Sequence, residues 1–81
     1  MILKYPRIDY KDPRVKPYVE IISKLGGTTQ DGAEWKAVVD LVHKKRLSRD
    51  HLEKTVFDLF NQGDLYEPLL GRIAFAVEVN I

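Results

Sequence analysis

Val15, Val19, Ile22 and Leu25, with Tyr18 beside them, recur at steps of three and four residues, the spacing that lines one face of a helix. The pattern predicts a first helix over residues 13–25. Asp12 can cap its start, and Pro13 suits the first helical position, whose N–H has no partner anyway. Pro17 complicates that start, because a proline deep in a helix loses a hydrogen bond and clashes with the turn before it. Either the helix proper begins at Pro17 or residues 14–16 form a looser first turn. Gly26-Gly27 ends it, since glycine accepts the left-handed conformation of a C-terminal cap. Residues 28–30 are β-tolerant and polar and read as a very short strand or a loop. A second stripe, Trp35, Val38, Val39 and Val42 with Leu41 flanking, predicts a helix over residues 32–45, capped by Asp31 or Thr29. Ser48 reads as the N-cap of a third helix, with Asp50 in its first turn. Its stripe is Leu52, Val56, Leu59 and Phe60, widened by Phe57, and Gly63 stops it.

After Gly63 the period changes. Leu65 and Tyr66 begin a short strand, Pro68-Leu69-Leu70-Gly71 is a turn, and Ile73, Phe75, Val77 and Val79 alternate along a strand over residues 73–81. Three short helices cannot each bury a stripe alone, so they must share one core. A tight turn between the second and third helices followed by a hairpin predicts an α+β fold, a winged helix-turn-helix with a three-helix core and a C-terminal β-hairpin wing. Residues 67–71 are the wing tip, and residues 28–30 are expected as a third strand. Residues 1–12, basic and broken by Pro6, read as an N-terminal arm with a short strand around Arg7–Tyr10. Residues 13–81 form the domain.

Composition narrows the function. The chain has 81 residues, enough for one small domain. Thirteen Lys and Arg against twelve Asp and Glu leave a formal charge of +1, low for a small nucleic-acid binder. There is no cysteine, hence no disulfide, thiolate nucleophile or Cys-ligated zinc, which fits a reducing cytosol. Two histidines are too few for a His-rich metal site, and no metal or other cofactor is expected. No apolar run approaches the ~20 residues of a membrane span. Lys4 follows Met1-Ile2-Leu3 at once, leaving no signal-peptide hydrophobic region. No glycine-rich phosphate loop, Ser/His/Asp set or carboxylate pair stands out, so the chain reads as non-catalytic.

The segment Leu47-Ser48-Arg49-Asp50-His51-Leu52-Glu53-Lys54, followed by Leu59-Phe60-Asn61-Gln62-Gly63-Asp64-Leu65-Tyr66-Glu67-Pro68, resembles the C-terminal winged-helix domain of archaeal minichromosome maintenance (MCM) replicative helicases. There a third helix beginning after a Ser runs into a Gly-acidic-apolar-Tyr-Glu-Pro strand and then the wing. The resemblance covers residues 19–73 in element order and residues 48–68 in wording. After Glu-Pro that family usually has a basic residue and then Pro or Gly, where this chain has Leu69-Leu70-Gly71. The resemblance implies an accessory domain of an ATP-dependent DNA replication helicase. Such a domain regulates the motor and recruits protein partners of a replication complex. It implies a cytoplasmic, nucleoid-associated location. The motor's own ATP-site motifs are not in this chain. The alternative is a free-standing winged-helix transcription regulator that binds DNA, with its first helix, arm or last strand as the interface of a homodimer. A third reading is a winged helix that contacts proteins alone.

The outer face of the third helix offers Arg49, Asp50, Glu53, Lys54, Asp58, Asn61 and Gln62. Acids outnumber bases there, and each carboxylate would meet phosphate repulsion. Arg49 and Lys54 can touch phosphates and Asn61 or Gln62 an adenine edge, or the face is simply solvated. Lys44, Lys45, Arg46 and Arg49 form the best positive patch, at the turn between the helices, with Arg72 on the wing and Lys36 extending it. They are the expected weak, non-specific contact with DNA phosphates. Leu69 and Leu70 cannot both point into the core, so the wing tip either touches a protein partner or folds back onto the domain. Trp35 is expected in the core and Tyr66 in strand packing.

Overall fold

The computed structural model describes residues 8–79. The three stripes become α1 (Lys16–Ile22), α2 (Trp35–Lys44) and α3 (Arg49–Asn61). Three short strands, β1 (Ala33–Glu34), β2 (Leu65–Tyr66) and β3 (Arg72–Phe75), form an antiparallel sheet in the order β1-β3-β2. The register pairs Ala33 with Ile73, Glu34 with Arg72, Leu65 with Phe75 and Tyr66 with Ala74. This is a small α+β unit with three helices and a three-stranded antiparallel sheet, compatible with a winged-helix layout. Val19, Ile22, Ala33, Val38, Val42, Leu52 and Leu59 are all at most 1% exposed. They come from all three helices and β1, so no stripe is buried without the others.

The start of α1 follows from Pro17. Its ring excludes a helical carbonyl four residues back, so Pro13 cannot begin the helix. Residues 13–15 form a turn instead, in which Val15 N and Lys16 N both donate to the Asp12 carbonyl at 2.8 Å. Asp12 is not the helix cap: its side chain accepts Arg14 N at 2.9 Å, a local turn, and Val15 takes the cap position without a side-chain bond. Pro17 sits in the first turn, where its missing N–H costs nothing. After Ile22 the backbone widens into a π-type turn, Ser23–Gly27, and stops where Gly26 takes φ 109°.

The third strand lies later than residues 28–30. There the Thr29 hydroxyl donates to the Gly26 carbonyl at 2.6 Å and accepts Gly32 N at 3.3 Å, so the segment curls into a loop. Ala33–Glu34 pairs with β3 instead. Neither Asp31 nor Thr29 caps α2. Glu34 occupies the cap position with no side-chain bond, and Trp35 N donates to the Gly71 carbonyl at 2.8 Å. The loop before β3 thereby satisfies one of the orphan donors of α2.

Ser48 caps α3 as its residue type dictates: its hydroxyl accepts His51 N at 3.1 Å. Leu52, Thr55, Val56 and Leu59 face the core, whereas Phe57 and Phe60 do not. β3 is shorter than its alternation suggests. It ends at Phe75, and the last rung is Ala76 N to the Asp64 carbonyl at 2.8 Å. Beyond that rung its neighbour turns into the end of α3 and offers no strand to pair with. Val77 is therefore exposed, and Val79 packs against the edge of the core.

Residues 8–10 form no strand, and Arg7 lies outside the described residues. Tyr10 instead lies over the end of the sheet, its ring centroid 5.9 Å from that of Phe75 and its hydroxyl donating to Asp64 Oδ2 at 2.6 Å. Asp64, 2% exposed, also accepts Gln62 Nε2 at 2.7 Å, and Gln62 Oε1 accepts Ile8 N at 3.1 Å. The end of the arm is thus fastened to the junction of α3 and β2.

Candidate nucleic-acid and protein-contact site

The turn between α2 and α3 is a Schellman cap. Arg46 N donates to the His43 carbonyl at 3.0 Å and Leu47 N to the Val42 carbonyl at 2.9 Å, while Leu47 packs against the core. Arg46 sits at the left-handed position with φ 59°, the only non-glycine with positive φ among the described residues. The same bonds recur at the end of α3, where Gly63 N donates to Phe60 and Asp64 N to Leu59, and there the left-handed residue is a glycine, φ 82°. A side chain at such a position costs about 1–2 kcal/mol. At the α2–α3 turn that cost is borne by an arginine. Lys44, Lys45 and Arg46 are all exposed and make no ion pair among the described residues.

The bases on α3 are placed differently. Arg49 Nε lies 3.0 Å from Glu53 Oε2 and Lys54 Nζ lies 3.1 Å from Asp58 Oδ2, each a pair spaced by one helical turn. Exposed pairs of this kind contribute about 0.3–0.5 kcal/mol. Their larger consequence is that each cation already has its anion. Arg72 opens β3 rather than the loop tip, and its Nη1 donates to the Gly32 carbonyl at 3.1 Å, bracing β3 against the approach to β1. Lys36 is exposed in the first turn of α2.

The histidines divide. His43 is exposed on α2. His51 Nε2 donates to the Arg14 carbonyl at 2.9 Å and its ring lies 5.4 Å from that of Tyr18, while the Tyr18 hydroxyl donates to the Ser48 carbonyl at 3.0 Å. These contacts tie the start of α3 to the turn before α1. In that turn the Arg14 side chain holds the Asp12 carboxyl below its ordinary value by hydrogen bonding, and Asp12 in return raises Arg14.

The loop joining β2 and β3, residues 67–71, is closed by Gly71 N donating to Glu67 Oε2 at 2.8 Å and by Arg72 N donating to the Leu69 carbonyl at 2.9 Å. Leu69 is 53% exposed and Leu70 96%, so neither folds back onto the domain. Tyr66 is exposed as well, its strand partner Ala74 lying buried opposite it. Beside the loop runs an apolar groove of about 290 Å³ lined by Trp35, Val56, Phe60, Glu67, Gly71 and Ile73. Phe57, 64% exposed, stands one turn before Phe60 on α3. Sequence reasoning missed this groove because its walls come from α2, α3 and the hairpin. The available signal was the pair Phe57 and Phe60, which fall off the face set by Leu52, Val56 and Leu59.

Two surfaces result: a small cationic turn at residues 44–46, and an apolar surface of α3 and the β2–β3 loop. Among the described residues no three His, Asp or Glu side chains gather as metal ligands, and no helix is long and apolar enough to cross a membrane. Comparison with protein-family models, curated proteins and solved structures finds no match to this chain.

Proposed function

We propose that the chain is a winged helix-turn-helix accessory domain of a DNA-processing machine, non-catalytic in itself, of the kind implied by its resemblance to the MCM C-terminal domain. It acts in the cytoplasm at the nucleoid. It touches DNA weakly, through phosphates, at Lys44, Lys45 and Arg46, and works chiefly through protein contacts made by Leu69, Leu70 and the adjoining face of α3.

One observation carries this reading. Both bases of α3, the helix that would read base edges, are bound to acids of the same helix, while the unpaired cations sit before it on the turn. A base-reading helix presents donors free to bond guanine or adenine. This one presents ion pairs and two exposed phenylalanines. The strained Arg46 points the same way, because a glycine would serve the cap better and the arginine adds charge where a phosphate backbone can pass.

The test is titration of labelled duplex DNA by fluorescence anisotropy at two salt concentrations. Three phosphate contacts give a slope of log K against log salt of about −2.7, or a ~40-fold loss of affinity over a fourfold rise in salt. Micromolar or weaker binding with that slope and no preference between unrelated duplexes is expected. Nanomolar, sequence-selective binding with a slope of about −6 or steeper overturns the proposal and returns the chain to a free-standing regulator.

A further inference from the structure

The apolar surface beside the β2–β3 loop has a shape that identifies its occupant. It holds a knob and a socket side by side. The knob is Leu70, 96% exposed at the loop tip. The socket is the groove between Trp35 of α2, Val56 and Phe60 of α3, and Ile73 of β3, about 290 Å³ in volume. A dry apolar cavity of roughly 150 Å³ already accommodates a benzene-sized group, so the groove has room for a leucine side chain. Leu70 does not line the groove of its own chain, to which the adjoining Glu67 and Gly71 contribute.

The geometry points to a second copy of this chain as the occupant, in a two-fold dimer where each Leu70 enters the other copy's groove. This deepens the protein-contact half of the proposed function and rests on it. A knob and a socket in one patch are self-complementary under a two-fold axis, the condition for an isologous interface. Phe57, Phe60, Leu69 and Leu70 are 64%, 37%, 53% and 96% exposed. At ~200 Å² for a phenylalanine and somewhat less for a leucine they leave on the order of 450 Å² of apolar surface per copy, within the range of the largest patch on a monomer, which is often functional. Two such patches bury on the order of 1,000 Å², which is the lower bound for a specific contact and marks a weak, reversible dimer.

Charge permits the pairing. The bases on the adjoining face of α3 are each paired within their own copy, Arg49 with Glu53 and Lys54 with Asp58, and Asp50 leaves the helix a single net negative charge, a small repulsion between like faces. Glu67 is the one charged residue lining the groove, and its carboxylate already accepts Gly71 N. Lys36, exposed next to Trp35, offers the second copy's Glu67 an opposite charge.

Trp35 is the chain's single tryptophan and lines the groove, so it reports the event directly. The experiment is sedimentation velocity of the full chain from about 10 µM to 1 mM, with Trp35 emission read over the same range. The expected result is a rise in average mass from one chain toward two, with a blue shift of Trp35 in step. Leu70→Glu should move the midpoint at least tenfold higher and abolish the blue shift, leaving the far-ultraviolet circular dichroism and melting temperature unchanged. Lys45→Ala should leave the midpoint where it was. A chain that stays monomeric to 1 mM, or a dimer that Leu70→Glu does not weaken, overturns the inference. Either result leaves the DNA titration, carried out at low concentration on the cationic turn, to judge the accessory-domain reading separately.

Discussion

At the turn between α2 and α3, Lys44, Lys45 and Arg46 stand exposed with no acidic partner among the described residues, whereas along α3 both bases are tied to an acid one turn away. The two regions adjoin in sequence but differ in charge, the turn holding three bases and no acid and α3 two bases and three acids. They differ also in pairing. On α3 the acids fall four residues after the bases and neutralise them. On the turn Asp40 stands one helical turn before Lys44, yet neither it nor another acid forms an ion pair with the cations among the described residues. A formal charge of +1 therefore describes neither region: one is a small positive cap, the other an electrically quiet and partly apolar face. Charge that a sum treats as cancelled is spatially sorted, and under the proposed function the sorting would separate a phosphate contact from a protein contact.

Several substitutions probe that contrast. The largest effect belongs to removal of the cap: Lys44→Ala, Lys45→Ala and Arg46→Ala together should weaken duplex binding at least tenfold at low salt and flatten its salt slope by nearly three, read by anisotropy. Next come the two Schellman caps. Gly63→Ala meets nothing within 4 Å, so only its left-handed φ counts, and urea denaturation should show a loss of about 1 kcal/mol. Arg46→Gly relieves the same strain and should gain about 0.5–1 kcal/mol while weakening DNA binding. Equal and opposite signs at matched positions would establish that charge at the turn is kept against stability. Arg49→Ala is smaller, about 0.3–0.5 kcal/mol of stability with DNA affinity changed less than twofold. A large loss of affinity there would break the contrast.

The smallest effect is at Asp12. Arg14 holds its carboxyl below the ordinary value through the side-chain hydrogen bond first and the backbone N–H second. A folded pKa below the unfolded one contributes stability that is fully present above the usual carboxylate value of about 3.9 and lost as pH falls through the lowered value. Asp12→Asn should therefore lower the urea midpoint slightly at pH 7, and the difference should close in acid as Asp12 itself is protonated.

Much of this was legible in the chain. Leu52, Val56 and Leu59 keep a strict four-then-three spacing and are buried as that spacing requires. Ser48 and Gly63 mark the limits of α3 because their chemistry suits a cap and little else. Phe57 joins the stripe of α3 by hydrophobicity and not by angle: it lies about 140° round the helix from Leu52. Val77 and Val79 alternate like a strand, yet a strand also needs a neighbour, and Asp64 is the last residue that supplies one. Thr28 and Thr29 have β-branched side chains, but the Thr29 hydroxyl finds its partner in the local backbone and the sheet begins at Ala33. The bond from Arg72 to the Gly32 carbonyl is not legible in a sequence, since the two residues meet only through the pairing of β3 with β1. The cationic turn could be read because its residues are contiguous. The groove could not, since Trp35, Phe60 and Ile73 meet only through the packing of three elements.

The division of labour between turn and helix is tested most directly by a residue-resolved map of DNA contact. Amide chemical shifts are followed by two-dimensional NMR as duplex DNA is added at low salt. The account predicts shifts concentrated at Lys44, Lys45, Arg46 and Leu47, with Asp50, Glu53, Lys54, Phe57 and Asn61 nearly still. Largest shifts along that outer face of α3, persisting as salt is raised, would contradict it.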